Sequence, residues 1–462
     1  MPKDSAMSEA DAFLEANPDV KTIELLMPDM CGILRGKRLT ADGLAKLYSG
    51  GVRAPGSIYL LDTTGKSVPD IHYGIADGDP DNFCQPAAGT LKTVPWADQP
   101  MGQVLGSMTE DDGTPLYSDP RAILASVVAR LGELDLSPTV AIELEFYLID
   151  QEPGPDGRPR PAFSSESGYR QSMTQVLGTE ELYDFDAFLV DAAEYCEIQG
   201  IPAEAASKEY APGQYEINLQ YVADAVTACD HAVMLKRAVK AAARRHGLVA
   251  TFMAKPFQET AGSGTHVHVS LYDKDGVNAF ACGERQEINA MAVGEPLRHA
   301  VGGLIDCMAE SMAIFAPNAN SYRRFQPGLF VPVSPSWGVN NRSAGIRIPP
   351  SDDHAQRIEL RNAGADANPY LVTAAILAGI HHGLTGKIVP PPPSVGDQDP
   401  DGLPDLPLRW WGALDRFHEG KILPGYLGEK YHGLYEACRR FECEAFHARI
   451  QPLDYEWYLR TA

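Results

Sequence analysis

The sequence is poor in basic residues and has no long apolar run. Its 39 lysines and arginines are outnumbered by 62 aspartates and glutamates, which gives a formal net charge of −23. That balance argues against a surface that binds nucleic acid. No apolar run reaches the length of a membrane span, and residues 1–5 lack the basic-then-apolar pattern of an export signal. We therefore expect a protein that binds neither nucleic acid nor membrane.

Paired cysteine motifs are also missing. The eight cysteines are scattered and none forms a C-x-x-C pair, so neither a zinc knuckle nor a dithiol centre is indicated. This usage fits a reducing cytoplasm. We find no P-loop and no internal repeat. The 462 residues are 44% hydrophobic and 22% charged, a composition typical of globular proteins with one large domain or two or three smaller ones.

Turn signals divide the chain near residue 118, where Ser118-Asp119-Pro120 is typical of a helix start. We predict a small N-terminal domain over residues 1–117 and a larger C-terminal domain over residues 118–462. In the small domain the pattern predicts a hairpin, a short third strand and mostly loops up to residue 113. The three strands are expected at residues 20–27, 33–39 and 57–62.

The large domain shows both helical and strand periodicity. Apolar residues three and four apart, followed by glycine stops, predict helices, and polar–apolar alternation predicts strands. The helices are expected from residue 120 and at 186–199, 223–246 and 295–315, and again after residue 408. The strands are expected at residues 139–148, 208–221, 248–255 and from 265.

Residues 262–270, G-S-G-T-H-V-H-V-S, read as a glycine loop that runs into a strand. Side chains two positions apart share one face of a strand, so His266, His268 and Ser270 point the same way. Two imidazoles and a hydroxyl behind a glycine loop suit metal and phosphate binding. A polar strand face with two hydrogen-bonded histidines is the alternative.

Carboxylates follow similar patterns elsewhere. Glu143 and Glu145 share one face of a predicted strand, which is unfavourable unless a cation lies between them or the face is solvated. Glu209 and Glu216 flank a Pro-Gly turn, and Glu359 alternates with arginines. Such a set suits divalent metals that hold phosphate oxygens, with arginines neutralising the transferred group. Oxygen-rich ligation favours Mg²⁺ or Mn²⁺ over zinc.

Seven motifs occur in the order known from one family. They are E-L-E at 143–145, E-Y-A-P-G-Q-Y-E at 209–216, G-S-G-T-H-V-H-V-S at 262–270, N-S-Y-R-R at 320–324, N-R-S-A-G-I-R-I-P at 341–349, R-I-E-L-R at 357–361 and A-N-P-Y at 367–370. With them the chain resembles the glutamine synthetase family over almost its whole length. Coincidental strand faces would not repeat both the number and the order of these motifs.

The resemblance implies an α+β fold with an N-terminal β-grasp domain. Its C-terminal catalytic domain would hold the site on a curved antiparallel sheet flanked by helices. The family's reaction uses ATP to phosphorylate the γ-carboxylate of glutamate, and an amine then attacks the acyl phosphate. The family also forms dodecamers of two hexameric rings whose sites lie between subunits, so a homo-oligomer is expected.

The resemblance also assigns roles to residues. One divalent metal would be held by Glu145, Glu209 and Glu216, and another by Glu143, His266 and Glu359. ATP would lie at Glu204, His268, Ser270 and Arg357, glutamate at Gly262, Arg324 and Arg361, and the phosphates at Arg342 and Arg347. Arg324, Arg342 and Arg347 are the expected catalytic residues.

The chain departs from the family where ammonium should bind. Phe330 stands where glutamine synthetases carry an acid after P-G-F, and the family's D-G-S-S loop appears as Ala-Pro-Gly-Ser at 54–57. A phenyl ring cannot accept a proton from ammonium, but it can pack on alkyl groups. This change, Trp337 and its neighbours, and R-G-K at 35–37 resemble the γ-glutamylpolyamine synthetase branch. We predict a glutamate–amine ligase in which Phe330 and Trp337 contact the substrate.

Several alternatives stay open at this point. The acceptor could be putrescine, a longer polyamine, methylamine, isopropylamine or ethanolamine. An ordinary glutamine synthetase or a catalytically silent relative are rival readings, although all six expected metal ligands are present. Asp62 and Glu259 are candidates for the base that deprotonates the amine. Ala261 replaces the family's usual asparagine before Gly262, and no tyrosine between residues 386 and 408 could serve an adenylylation switch.

Overall fold

A computed structural model describes residues 8–69, 71, 73–326 and 331–462. Two large sheets organise these residues, one in the first 110 and one beyond residue 136. Helices lie around both sheets. The predicted α+β class is confirmed. Among the described helices, none combines the length and apolar character that a membrane crossing requires.

The first sheet has six strands in the order β2-β1-β6-β4-β3, with β5 beside β6. Its strands are β1 (Thr22–Pro28), β2 (Leu34–Thr40), β3 (Val52–Pro55), β4 (Asp81–Pro86), β5 (Lys92–Thr93) and β6 (Met101–Thr109). Helices α1 (Glu9–Ala16) and α2 (Ala41–Gly50) accompany it. The β1–β2 hairpin is confirmed as predicted, and β1 runs parallel to β6 in the middle of the sheet.

Two predictions for this region are wrong. The segment predicted as a strand at 57–62 is a 3-10 helix over Gly56–Leu60, in which the Tyr59 hydroxyl donates to Asp119 over 3.0 Å. The region predicted as loops contains β4, β5 and the central strand β6. Gly106 interrupts the apolar pattern of β6, because a side chain there would lie 2.7 Å from Leu25 and 2.8 Å from Cys84. Close packing of strands therefore removed the periodicity on which the prediction depended.

The second sheet has eight strands in the order β10-β11-β7-β13-β18-β17-β16, with β12 beside β7, and it curls into a half-barrel. Its strands are β7 (Leu136–Asp150), β10 (Ser207–Lys208), β11 (Gln214–Asn218), β12 (Leu248–Thr251), β13 (Thr265–Asp273), β16 (Trp337–Val339), β17 (Ile346–Ile348) and β18 (Ile358–Leu360). All its strand pairs are antiparallel except β16–β17. Two short hairpins lie outside it, β8 (Phe163–Ser164) with β9 (Tyr169–Arg170) and β14 (Arg285–Ile288) with β15 (Met291–Gly294).

Ten helices are described beyond residue 118, and several of them cover the apolar side of this sheet. They are α3 (Pro120–Gly132), α4 (Glu180–Tyr183), α5 (Asp186–Gln199), α6 (Ala225–Arg245), α7 (Glu295–Phe315), α8 (Pro369–Gly386), α9 (Trp410–His418), α10 (Leu423–Leu427), α11 (Glu429–His447) and α12 (Pro452–Tyr458). The predicted helix starts and stops are confirmed, since Asp119 caps α3 and Gly200 ends α5 in the left-handed conformation. The apolar core lies between helices α3 and α5 to α11 on one side and, on the other, the even-numbered side chains of β7 and the odd-numbered side chains of β13.

Candidate active site

Polar side chains form a continuous row across the curved sheet. On β7, Glu143 and Glu145 alternate with fully buried apolar residues, so their side chains share the open face. The register pairs Glu145 with Glu216 of β11 and Glu143 with His266 of β13. Directly paired residues lie on the same face. The two carboxylates predicted from alternation are thus confirmed as neighbours on one face.

The row continues across β13 and β18. His268 is paired with Glu359 of β18, and Glu359 is paired with Arg347 of β17. Glu359 is 1% exposed. It accepts a hydrogen bond from Arg347 Nη1 over 2.6 Å and another from Arg361 Nη1. Two guanidinium groups therefore neutralise the most deeply buried carboxylate of the row.

Each carboxylate of β7 is held by neighbouring strands. Glu143 lies 2.9 Å from His266 Nδ1 through one oxygen and 2.9 Å from His268 Nε2 through the other. Glu145 Oε2 accepts from the Gly264 amide over 2.8 Å and from Gln214 Nε2 over 3.0 Å. The carboxylates are thus fixed in place before any ligand binds.

A cavity of about 520 Å³ opens over this row. Eleven of the predicted site residues line it: Glu143, Glu145, Glu209, Glu216, Gly262, His266, Arg324, Arg342, Arg347, Glu359 and Arg361. They come from segments more than 200 residues apart in the chain. The fold therefore brings together the candidates for the metals, for glutamate and for the phosphates.

Sequence analysis missed some residues of the cavity. Val176, Tyr210, Gln214, Asn218, Ala261 and Val331 also line it. Gln214 and Asn218 carried a usable signal, since they stand on β11 two residues before and after Glu216. Val176 carried none, because it lies in a connection whose position depends on contacts distant in sequence.

Other predicted residues lie outside the cavity lining. His268 lies beside the cavity, where its Nε2 forms a hydrogen bond with Glu143, a residue of the lining. The Ser270 hydroxyl donates to the Gln356 carbonyl over 3.0 Å. The Arg357 guanidinium donates to the Ala355 carbonyl over 3.3 Å. Glu204 is exposed beside the start of β10. None of the four expected ATP residues is part of the cavity lining, and their role stays a prediction.

The predicted amine contacts have different placements. Trp337 is 2% exposed and its indole N–H donates to the Pro391 carbonyl over 2.7 Å, so the structure does not bring it to the cavity. Phe330 lies outside the described residues. The base candidates also lie elsewhere, because Asp62 caps a turn by accepting from Thr64 and Lys66, and Glu259 is an exposed loop residue.

The crowded carboxylates have strongly shifted proton affinities. Burial, reinforced by the charges of Glu143, Glu145 and Glu209, raises the pKa of Glu216 to about 9. Burial and the charge of Glu145 raise the pKa of Glu209 to about 7. Burial also opposes ionisation of Glu143, but hydrogen bonds from His266 and His268 outweigh it and hold its pKa below the ordinary value. Such opposed pKa values within one cavity are typical of functional sites.

The donor set fits hard divalent cations. Two groups of three side chains bring a ligand atom each within 4.8 Å of one another: Glu143 with His268 and Glu359, and Glu143 with Glu216 and His266. Neither group repeats a predicted ligand set, but each shares two members with the predicted set of Glu143, His266 and Glu359. Carboxylate oxygens with one imidazole are ligands that Mg²⁺ and Mn²⁺ accept. A cation would also relieve the repulsion that raises the pKa of Glu216.

These features define a class of site: carboxylates, imidazoles and arginines on the open face of a curled sheet, a donor set suited to divalent cations and anions. A sequence profile described as the catalytic domain of glutamine synthetase matches residues 117–458. The chain belongs to the glutamine synthetase family. Its predicted fold and family are thereby confirmed.

Similar proteins indicate which branch of the family this chain resembles. The chain is 40% identical to the gamma-glutamylputrescine synthetase PuuA of Escherichia coli strain K12, over 98% of this chain and 95% of the relative. It is 33% identical to a glutamate–isopropylamine ligase of a Pseudomonas species, over 83% and 82% of the two chains. The solved structure of GmaS without ligand superposes with a TM-score of 0.84 at 26% identity, covering 98% and 100%. The predicted resemblance to the amine-ligating branch is confirmed.

Proposed function

We propose that this protein is an ATP-dependent glutamate–amine ligase that joins the γ-carboxylate of glutamate to an alkylamine or polyamine such as putrescine. The observation that carries the proposal is one cavity in which five carboxylates and a histidine face Arg324, Arg342, Arg347 and Arg361. Two named relatives support the reaction type, since one is a gamma-glutamylputrescine synthetase and the other a glutamate–isopropylamine ligase.

We infer that divalent cations, Mg²⁺ or Mn²⁺, are held by Glu143, Glu145, Glu209, Glu216, His266 and Glu359. When bound, they supply charge neutralisation for the phosphate oxygens of ATP. Glu204, His268, Ser270 and Arg357 are the proposed nucleotide contacts. This proposal for two or more cations per site is supported by the number of acids, which exceeds what the neighbouring arginines neutralise.

The arginines of the cavity are proposed to bind anions. Arg324 and Arg361 would orient the glutamate carboxylates beside the loop at Gly262, where a side chain would lie 2.4 Å from the Ala254 carbonyl and 2.5 Å from Arg324. Arg342 and Arg347 would stabilise the charge of the transferred phosphoryl group. The γ-carboxylate attacks the terminal phosphate of ATP and ADP leaves. The amine nitrogen then attacks the γ-carbonyl carbon, releases inorganic phosphate and gives up a proton as the amide forms.

The apolar lining of the cavity favours a carbon-bearing acceptor. Val176, Tyr210, Ala261 and Val331 are the mainly apolar members of the described lining. An alkyl chain that displaces water from such side chains gains about 0.8 kcal/mol per buried methylene. Ammonium has no carbon to make this contact. The sequence adds a second argument for a carbon-bearing acceptor, because Phe330 stands where glutamine synthetases carry an acid.

The domain division, the location and the assembly of the protein complete the proposal. We propose domains over residues 1–117 and 118–462, a cytoplasmic location and a homododecamer of two hexameric rings. The division is supported by an apolar cluster that lies wholly before residue 118. The location is supported by eight cysteines that carry no disulfide partner.

The experiment that tests the function is an amine panel. Purified protein with ATP, glutamate and Mg²⁺ is given ammonium, methylamine, isopropylamine, ethanolamine, putrescine or spermidine, and the product mass and ADP release are measured. We expect γ-glutamylamides of alkylamines or polyamines to form at least about ten-fold faster than glutamine forms from ammonium. The reason is that each of these amines has one or more carbon groups that ammonium lacks. A preference for ammonium over every alkylamine would instead identify an ordinary glutamine synthetase.

A further inference from the structure

Two apolar side chains lie at one side of the cavity that holds the carboxylates. Val176 belongs to the connection between β9 and α4, and Tyr210 follows Glu209 in the turn between β10 and β11. Neither belongs to the apolar core. They line the same space as Glu209 and Glu216 although they are more than 30 residues apart.

Backbone hydrogen bonds hold the two segments together. The Leu177 amide donates to the Lys208 carbonyl over 3.1 Å, which ties the segment of Val176 to β10. On the other side of Lys208, the Tyr210 amide donates to Glu209 Oε2 over 3.2 Å. The positions of Val176 and Tyr210 are thus fixed relative to each other and to a proposed metal ligand.

Both side chains are exposed although they are largely apolar. Val176 is 52% exposed and Tyr210 is 40% exposed. The neighbouring Leu177 has a φ of +56°, a left-handed conformation that leucine rarely adopts. Exposed apolar groups and a strained backbone at the same place indicate that a contact with a ligand maintains them.

We propose that Val176 and Tyr210 form an acceptor wall that packs against the carbon chain of the amine and so determines which amine is used. The inference rests on the proposed function, since it assigns the specificity of the same reaction. Charged groups make up most of the remaining lining described here, and they suit the anionic substrates and cations. Together with Ala261 and Val331, the acceptor wall supplies the apolar part of the lining, whose chemistry matches methylene groups. The apolar contact should increase with the length of the amine's carbon chain until that carbon chain extends beyond the wall.

The test compares selectivity along a series of primary amines. Val176→Ser and Tyr210→Ala are assayed with ammonium, methylamine, ethylamine and butylamine at saturating ATP and glutamate. We expect the ratio of kcat/KM for butylamine to that for methylamine to fall about ten-fold in each variant, because apolar contacts discriminate methylenes by about that factor. The KM values of ATP and glutamate should stay within about two-fold, because neither variant removes a charged group.

Two control variants separate packing from a general defect. Val190→Ser changes a valine of α5 that is 55% exposed and does not line the cavity, and it should keep the wild-type ratio. Tyr210→Phe keeps the ring and removes the hydroxyl, so it should also keep the ratio.

The outcomes are distinct. An unchanged ratio in Val176→Ser and Tyr210→Ala, or an equal loss for ammonium and every alkylamine, would overturn the acceptor wall while leaving the proposed function intact. A wild-type protein that uses no alkylamine would remove the proposed function and the wall with it.

Discussion

At the scale of residues, the site is a cluster of acids whose repulsion is only partly relieved. Glu143 forms hydrogen bonds with two histidines, and Glu359 accepts hydrogen bonds from arginines. Glu209 and Glu216 lack such partners, and burial raises the pKa of both. With a pKa of about 9, Glu216 therefore holds its proton near neutral pH in the metal-free protein, whereas Glu209, with a pKa of about 7, is about half protonated there. A divalent cation would have to displace those protons.

This predicts a pH-dependent stability for the metal-free protein. The pKa of Glu216 is raised from an ordinary value near 4.5 to about 9, so its contribution to stability is fully present below about pH 4.5 and is lost as pH rises through 9. The thermal midpoint in EDTA should therefore fall between pH 5 and pH 9. Added Mg²⁺ should restore most of it, and more strongly at the higher pH.

Glu216→Gln provides the comparison, because it keeps the shape and removes the titration. We expect the metal-free variant to be more stable than the wild type at pH 9 by more than about 1.4 kcal/mol, the worth of one pKa unit. The two should converge at pH 5, and Mg²⁺ should stabilise the variant less. Denaturant unfolding of both proteins at the two pH values measures this. Parallel pH profiles would contradict the prediction.

Much of this residue-level picture could be predicted from sequence, and the rest could not for a physical reason. Alternation on a strand placed Glu143 beside Glu145 and His266 beside His268, because side-chain direction in a strand is a local property. That His268 would share Glu143 with His266 depended on the register of β7 against β13. Register is set by packing across the sheet, which sequence spacing does not show.

At the scale of elements, the loop before β13 is anchored at every residue from 260 to 264. Lys255 Nζ donates to the Thr260 carbonyl, and Gln214 Nε2 donates to the Gly262 carbonyl over 3.1 Å. The Ser263 amide donates to the Ala254 carbonyl over 2.8 Å, and the Gly264 amide to Glu145. Ala261 has no polar side chain of its own. Its carbonyl accepts from the Tyr147 hydroxyl over 2.5 Å.

We therefore expect Tyr147→Phe to loosen the proposed glutamate loop. One lost hydrogen bond is worth about 0.5–1.5 kcal/mol, so the KM of glutamate should rise by about three- to ten-fold while the KM of ATP changes little. Steady-state kinetics with each substrate varied in turn measures the split. Tyr435→Phe is the matched control, because it removes a hydroxyl bond of 2.9 Å to the Ala313 carbonyl away from the cavity. Equal effects on every KM would contradict a positioning role for Tyr147.

The elements that sequence reasoning found and those it missed differ in how much of their signal is local. Helices α3, α5 and α7 can be recognised in the sequence from their terminal residues and from the spacing of their apolar residues. Both signals depend on neighbours within about one turn. Strand β6 was missed because its buried positions are filled partly by glycine, as at Gly106. The segment 57–62 has the composition of a strand, yet the buried bond from Tyr59 to Asp119 fixes it as a 3-10 helix. Tertiary contacts decided both cases.

At the scale of the whole molecule, the first sheet has an apolar cluster of its own, and part of the first sheet region packs into the core of the second sheet. Leu26, Leu60 and Leu105 of the first sheet region pack with residues of the second. Asn368 Nδ2 donates to the Asp29 carbonyl over 2.7 Å, and the buried Arg439 donates to the Met30 carbonyl over 3.2 Å. We therefore expect the proposed domains to behave as one unit within a chain, so that any opening of the site involves loops or other chains.

The last helix bears on the proposed assembly. Ile450, Leu453, Trp457 and Leu459 in and around α12 are 47–71% exposed, and a run of exposed large apolar residues is typical of a surface that another protein covers. A second copy of the chain is the proposed occupant. For the proposed homododecamer, light scattering should give a mass near twelve times that of one chain. Replacing Ile450, Leu453 and Leu459 by serine should lower that mass, whereas serine at the exposed Val190 and Val277 should not. A wild-type chain that remains monomeric at micromolar concentration would contradict the assembly, and an unchanged mass in the triple variant would show that α12 does not contribute to it.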